Sequence, residues 1–317
     1  MKRLSFLLCA MIFSASLLSA QPPAASKKGV GFWNADETFN RFSRDIDRLE
    51  CGWYYNWTPN PDDRAQEIQA EFVPMVWNGR DATPKNLTLL KNAGFRTLLT
   101  FNEPDGKEQA NMTVEQALAL WPRLMRSGLR LGSPAPAAVT KTRDWLRRFM
   151  TEADARGYRV DFICLHWYGD ITAPDAVDQL KNFLEAQWNR YHRPIWLTEF
   201  SGSTGYWLKF ENPPVTAAKN VAFIRKALPM LESLPYLERY AWFELKWTVP
   251  PWADVALVDP KTGKLTAAGR AYRAAGIPGA TANNMRRFSD GTALLSTREL
   301  SKGTAKAVRD LPRTGPR

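Results

Sequence analysis

Two carboxylates stand at the ends of short apolar runs in this 317-residue chain. One falls in Phe101-Asn102-Glu103-Pro104-Asp105, the other in Trp196-Leu197-Thr198-Glu199-Phe200. A carboxylate that terminates an apolar strand is costly to hide unless it is paired or solvated, so two of them call for an explanation. Cleavage of a glycosidic bond supplies one. One carboxyl protonates the leaving oxygen, and the other either attacks the anomeric carbon or activates water. The first route needs the two groups about 5–5.5 Å apart, the second about 6.5–9.5 Å, a distance that spacing along a chain does not give. A rim salt bridge with Lys or Arg is the plain alternative for either Glu alone; together they favour chemistry.

Other chemistries lack their residues. The chain has two histidines, His166 and His192, and neither a Cys-x-x-Cys nor a His-Glu-x-x-His spacing, so no metal and no cofactor is expected. No Gly-x-Gly-x-x-Gly follows a strand and no phosphate-loop motif occurs, which removes nucleotide chemistry. Ser201-Gly202-Ser203-Thr204-Gly205 lacks the Gly-x-Ser-x-Gly spacing of a nucleophile elbow and reads as a loop. Basic residues concentrate in the C-terminal tail and aromatics in the body, so nucleic-acid binding loses both of its usual signs.

The elements that must position the two Glu residues alternate. Eight short apolar runs cover 29–33, 51–55, 71–77, 96–101, 129–133, 161–168, 194–200 and 238–243. Between them lie helical patterns. Phe39, Phe42, Ile46 and Leu49 share a face; Thr83 before Pro84 is an N-cap with proline at the first helical position; Thr113 and Gln116 form a capping box. Further helices are expected over about 140–156, 175–191, 216–232 and 266–275, with a short helical patch near 62–70. Strand and helix alternating in this way predict an α/β fold, a closed (β/α)8 barrel in a single domain. An open doubly wound sheet is the alternative, and it would more often carry a glycine turn after its first strand. In a barrel the chemistry sits where the strands end. Glu103 closes the fourth run and Glu199 the seventh.

With the runs in order, the chain resembles a known family. Asn102-Glu103-Pro104 with Thr198-Glu199-Phe200 is similar to the pattern of clan A glycoside hydrolases. Trp53-Tyr54-Tyr55-Asn56-Trp57, Phe72-Val73-Pro74-Met75-Val76-Trp77, Phe101 to Asp105 and His166-Trp167-Tyr168-Gly169 resemble glycoside hydrolase family 128. The resemblance covers about residues 28–276. It implies a (β/α)8 barrel, retention of configuration and action on β-1,3-glucans, with Glu103 as acid/base and Glu199 as nucleophile. It also implies that Tyr168 orients the nucleophile and that His166 lines the same subsite. A lone His on a strand is otherwise just a packed residue.

Other rim residues suit a sugar. Asn102 can hydrogen-bond the 2-hydroxyl, a contact that strengthens in the transition state; the alternative is a satisfied turn amide. Trp33, Trp57, Trp77, Trp242 and Trp247 fall at or just past strand ends, where flat rings stack on sugars. Trp121, Trp145, Trp188 and Trp196 read as core. Asn56, beside Trp57, can read a sugar hydroxyl.

The ends of the chain are of a different kind. Residues 1–20 read as a signal peptide: Lys2 and Arg3 precede an apolar stretch, and Ser19-Ala20 offers a cleavage site. An uncleaved anchor is the alternative. Export, to the periplasm or the medium, and a mature chain from Gln21 are expected. Without Lys2 and Arg3 the formal charge falls from +11 to +9, and +5 of that lies in 279–317, a basic tail with too little apolar content to fold. The catalytic domain is thus expected over 21–278. Cys51 and Cys164 are expected as buried free thiols. The sequence therefore predicts an exported, endo-acting retaining β-1,3-glucanase, a monomer acting on a β-glucan without nucleic-acid or membrane partners. A β-1,4- or mixed-linkage glycanase on the same barrel, or a non-catalytic glucan-binding protein, is the alternative.

Overall fold

The structure, a computed structural model, describes residues 26–32, 42–61, 68–137, 143–202, 215–246 and 252–275. Nine parallel strands occur among the described residues: β1 (Lys28–Gly31), β2 (Trp53–Tyr55), β3 (Glu71–Phe72), β4 (Met75–Val76), β5 (Thr97–Asn102), β6 (Arg130–Ala135), β7 (Ile163–Trp167), β8 (Ile195–Phe200) and β9 (Leu237–Trp242). They form one sheet in the order β3-β2-β1-β9-β8-β7 and a second in the order β4-β5-β6. The run expected over 71–77 is split because Pro74 has no N–H to give a ladder. Backbone bonds carry the sheet across the split, from Val73 to the Tyr54 carbonyl and from Leu99 to the Pro74 carbonyl, both 2.9 Å. Between β6 and β7 a single bridge, Gly132 with Phe162, does the same. The mixed α/β fold is thus a TIM-like ring of eight runs, with no continuous ladder at these two seams.

The helices are α1 (Phe42–Arg48), α2 (Pro84–Asn92), α3 (Val114–Arg126), α4 (Arg143–Ala155), α5 (Ala176–Tyr191), α6 (Ala217–Ser233) and α7 (Ala267–Ala274). Their starts are chemical. The Thr83 hydroxyl accepts from Asn86 N–H, and Thr113 and Gln116 form the reciprocal capping box, each closing otherwise orphaned donors. Helix α5 ends at His192 in the left-handed conformation. The six residues of β8 are all buried, as expected for a parallel strand covered on both faces.

Two apolar layers result. Outside the ring, the helices pack over Leu98, Phe101, Ile163, Leu197 and Trp242. Inside it, Trp53, Tyr55, Trp57, Val73, Met75 and Trp77 follow period-two alternation along β2 and the split run, and meet Phe162, Cys164 and Trp196. At the end where the strands begin, the Arg239 guanidinium lies 4.4 Å from the Trp196 ring centre and 5.4 Å from that of Trp53. That stack plugs the ring opposite the strand ends. Cys51 and Cys164 are free and buried, as expected. The 62–67 part of the short helical patch, Phe39, and both termini lie outside the described residues. Among those described, no helix is long and apolar enough to cross a membrane.

Helix α7 docks through its own backbone. Thr266 caps it, its hydroxyl donating to the Ala256 carbonyl at 2.7 Å and accepting from Gly269 N–H at 3.0 Å. A Cβ on Gly269 would lie 1.9 Å from the Leu257 carbonyl oxygen. Further along α7, the Tyr272 hydroxyl donates to the Gly29 carbonyl of β1 at 2.6 Å. Gly269→Ala should therefore force the helix outward and cost at least about 1–3 kcal/mol, the usual range for overpacking. Thr113→Ala, a lost cap, should cost about 1 kcal/mol. Urea midpoints of the two variants check the order; equal midpoints would contradict it.

Candidate active site

Strand ends bring the two predicted carboxylates together. Glu103 follows β5 directly, and Glu199 is the penultimate residue of β8. One carboxylate oxygen from each, together with a nitrogen of His166 from β7, fall within 4.8 Å of one another. His166 Nδ1 is 2.9 Å from Glu103 Oε1 and 3.5 Å from Glu199 Oε2. The three side chains have the spacing of a cation site. Their facing atoms are already engaged with each other, though, and with the donors described next, which is the pattern of a hydrogen-bonded acid pair.

The two acids have different surroundings. Glu199 is buried, and Trp57 Nε1 donates to its Oε1 at 2.8 Å, Tyr55 to the same oxygen at 3.3 Å, and Tyr168 to Oε2 at 2.6 Å. The single Tyr55 hydroxyl proton is shared with the Thr198 carbonyl, the nearer acceptor at 2.8 Å, which ties its ring to β8. Burial, then the charge of Glu199, keeps both phenols protonated far into the alkaline range, so they act as donors. Glu103 is more open, with 16% of its side chain exposed against 6% for Glu199. It sits in the left-handed backbone region, φ 41°, which is strained for a non-glycine residue. Its N–H donates to the Ala135 carbonyl at 2.8 Å and its carbonyl accepts from Gly106 at 2.9 Å, so both neighbouring loops hold that turn.

Charge in the site is coupled. Burial pushes Glu199 above the usual carboxylate range; His166 opposes this, Glu103 adds to it, and the Tyr168 and Trp57 bonds pull back. Burial lowers His166, but Glu199, Glu103 and Asp105 outweigh it, so the imidazole holds its proton above the ordinary range. The imidazole between the two acids therefore favours its charged form.

The expected rim residues divide. His166, Tyr168 and Trp57 join the acid pair. Asn102 is buried, its Nδ2 donating to Gln109 Oε1 at 3.2 Å, while its Oδ1 has no partner. Trp77 lies in the inner aromatic layer, its indole N–H unpartnered. Trp242 is a correction: it is wholly buried on the outside of the ring against Phe200 and Tyr272, and its Nε1 donates to the Val255 carbonyl at 2.8 Å. The physical reason is parity, because on a strand alternate side chains leave the ring. Asn56 is a second correction. Its amide is spent on the turn, donating to the Asn60 carbonyl at 2.8 Å and accepting from the Thr58 hydroxyl at 3.0 Å. Trp33, Trp247 and the 203–205 part of the serine-rich loop lie outside the described residues.

Three contributors were not anticipated. Tyr55 lies between Trp53 and Trp57 on the inward parity of β2, a signal that was present. Phe243 sets its ring edge-on to both Trp57 and Tyr168, centres 5.7 and 6.0 Å apart. Glu244 follows the ninth strand's apolar end, the same signal that marked Glu103 and Glu199.

Comparison with known proteins agrees with this geometry. The model of the glycosyl hydrolase catalytic core family matches residues 31–272. A family 128 subgroup I endo-β-1,3-glucanase from Amycolatopsis mediterranei, solved with laminaritriose, is 42% identical with a TM-score of 0.70, covering 79% of this chain and 99% of that one. The chain belongs to glycoside hydrolase family 128. A subgroup II endo-β-1,3-glucanase from Sorangium cellulosum is 29% identical at a TM-score of 0.65, covering 79% of this chain and 99% of its own. A subgroup III curdlan-specific exo-β-1,3-glucanase from Blastomyces gilchristii, in complex with glucose, is 30% identical at 0.61, with coverage of 80% and 99%. No curated protein matches the chain. As a family 128 member the protein is a glycoside hydrolase.

The donors on Glu199 make a prediction. A hydrogen bond to a charged group contributes about 1.5–3 kcal/mol, and the Tyr168 bond favours the ionised form. Tyr168→Phe therefore raises the proton affinity of Glu199, and the acid limb of kcat/KM moves to higher pH. On the acid side activity should fall on the order of tenfold to a hundredfold. A pH profile with unmoved limbs would show that Tyr168 only packs.

Proposed function

We propose that the protein is an exported, retaining endo-β-1,3-glucanase that acts as a monomer on a β-glucan. What supports the mechanism most directly is the asymmetry of the two acids at short range. Their oxygens fall within 4.8 Å, which suits direct attack better than the wider gap an inverting enzyme leaves for water. Glu199, held by three donors, is fixed and acceptor-only, as a nucleophile must be. Glu103 is the more exposed and has His166 as its hydrogen-bond partner, an arrangement for moving a proton.

The steps follow. Glu199 attacks the anomeric carbon while Glu103 gives its proton to the leaving oxygen, forming a glycosyl ester and a shortened glucan. Glu103, now ionised and facing the His166 cation, takes a proton from water, which attacks the same carbon and frees Glu199. Asn102 Oδ1, buried and unpartnered, is an acceptor suited to the 2-hydroxyl. Trp57 spends its N–H on Glu199 and offers its ring as a wall of the same subsite, with Trp77 and His166 beside it.

Substrate class rests on the relatives. The Amycolatopsis enzyme has been solved with laminaritriose, and variants of it with a glutamate replaced hold laminarihexaose and laminaripentaose. Endo action follows the higher identity to the endo-acting enzyme than to the exo-acting one. Export follows the N-terminal signal pattern, and residues 21–278 are the catalytic domain with 279–317 as a dispensable basic tail. A chain ending at 278 should keep its melting temperature and its rate on soluble oligosaccharides; a large loss of either would contradict that division.

Product analysis on linear and branched β-1,3-glucans, mixed-linkage glucan, cellulose, xylan and chitosan tests the substrate. Mixed oligosaccharides from β-1,3-glucans are expected, and turnover of cellulose alone would sink the assignment. The roles separate by mutation. Glu199→Gln should abolish turnover of every substrate while glucan binding persists. Glu103→Gln should retain activity on an aryl glycoside whose leaving group needs little protonation, and azide should restore part of its second step and yield a β-glycosyl azide. An inverted α-azide, or a fully active Glu199→Gln, would reverse the assignment.

A further inference from the structure

A third carboxyl lies beside the acid pair and takes no part in the steps above. Glu244 is 1% exposed, and its Oε2 is fully enclosed with no hydrogen-bond partner. Its backbone is held on both sides. Phe243 N–H donates to the Phe200 carbonyl and Leu245 N–H to the Gly31 carbonyl, each at 3.1 Å, which fixes the residue between the ends of β8 and β1. It is therefore at the same end of the ring as Glu199, on a segment that cannot easily swing out to water.

Electrostatic reach and donor supply decide its state. Among the described residues, Glu199 and Tyr55 are the titratable groups that feel Glu244. No cation among the described residues is set against it: Lys246, two positions on, places its Nζ 2.7 Å from Asp45 Oδ2 on α1, and His166 is engaged with Glu103 and Glu199. Two carboxylates in one enclosed space do not both ionise readily. Glu199 has Trp57, Tyr168 and Tyr55 to hold its charge; the enclosed Oε2 of Glu244 meets no donor among the described residues. An ionised carboxylate without donors is far more costly to bury than a neutral acid, so the proton goes to Glu244. Burial, then the charge of Glu199, works in the same direction and lifts Glu244 well above the usual carboxylate range.

We propose that Glu244 carries a proton in the working enzyme and is a positioning residue, keeping Glu199 the ionised member of the pair. A charge at Glu244 would raise the proton affinity of Glu199 and disarm it. A neutral acid there excludes water without competing for the negative charge. The role rests on the assignment of Glu199 as nucleophile, but the protonation state can be read without substrate.

Infrared difference spectra of the full chain at neutral pH, wild type minus Glu244→Gln, provide that reading. The carbonyl stretch that Glu244→Gln removes from the wild-type spectrum should be retained in Glu103→Gln, which separates it from the band of the Glu103 acid. Absence of the band from wild type would overturn the proposal. The second readout is the pH profile on laminarihexaose. Glutamine mimics a neutral acid, so Glu244→Gln should leave the acid limb of kcat/KM in place. A limb shifted to lower pH would mean that a negative charge had been removed from beside Glu199, and the proposal would fail. Should Glu244→Gln not fold, Glu244→Asp serves instead: it moves the carboxyl, so the band should shift, and an unmoved band would assign the proton elsewhere. Lack of any activity on laminarihexaose would count against the glucanase assignment while the infrared result still decides the proton.

Discussion

A buried negative charge at Glu199 governs the architecture of this site. A carboxylate nearly out of reach of solvent stays ionised only where the protein replaces the lost water with donors. Here those donors are an indole and two phenols, and they come from two strands: Tyr55 from β2, Trp57 just past it, and Tyr168 just past β7. Each brings a large apolar body with one polar tip. The same side chains therefore fill the mouth of the ring and satisfy the charge within it, which lysine, serine or asparagine could not do together.

That dual use links the site to the core. Trp53, Tyr55 and Trp57 alternate inward, and Trp53 in turn packs on Trp196 and under Arg239. The column runs from the plug at the strand starts to Glu199 at the strand ends. Rigid rings in contact along a column have few alternative rotamers, so the donors aimed at Glu199 are held by packing before a substrate arrives. Preorganised donors act without having to reorient during reaction. Phe243, edge-on to Trp57 and Tyr168, closes the column at its upper end.

Much of this was legible in the residues. Alternation of strand and helix, the caps at Thr83 and Thr113 and the two Glu residues at strand ends are local signals, and local signals survive folding. The family resemblance added Tyr168 and His166. What was misread depended on direction rather than position. Trp242 ends a strand, as an exposed platform would, yet its parity carries it to the outer layer. Asn56 stands beside a site residue, but its amide closes a turn to Asn60, a contact that sequence spacing does not reveal. The split at Pro74 was visible as a missing donor and was not weighed against the apolar run around it. Glu244 satisfied the very rule applied to Glu103 and Glu199, an acid after an apolar strand, and escaped because the last run was followed only to Phe243.

Three acids at strand ends raise the question of what makes them differ. Residue type does not, since all are glutamates, and neither does topology, since each closes a strand at the same face. The difference lies in the donors each finds. Glu199 is met by Trp57, Tyr168 and Tyr55, whose hydrogen bonds offset part of the cost of burying its charge. Glu103 faces a histidine that holds its proton above the ordinary range and keeps some contact with solvent, so a proton can reach it and leave it. Glu244 finds neither donor for its enclosed oxygen nor cation among the described residues. Charge in such a site is placed by the neighbours that can stabilise it, and a change to Tyr55, Trp57 or Tyr168 alters how Glu199 holds its charge without touching Glu199 itself.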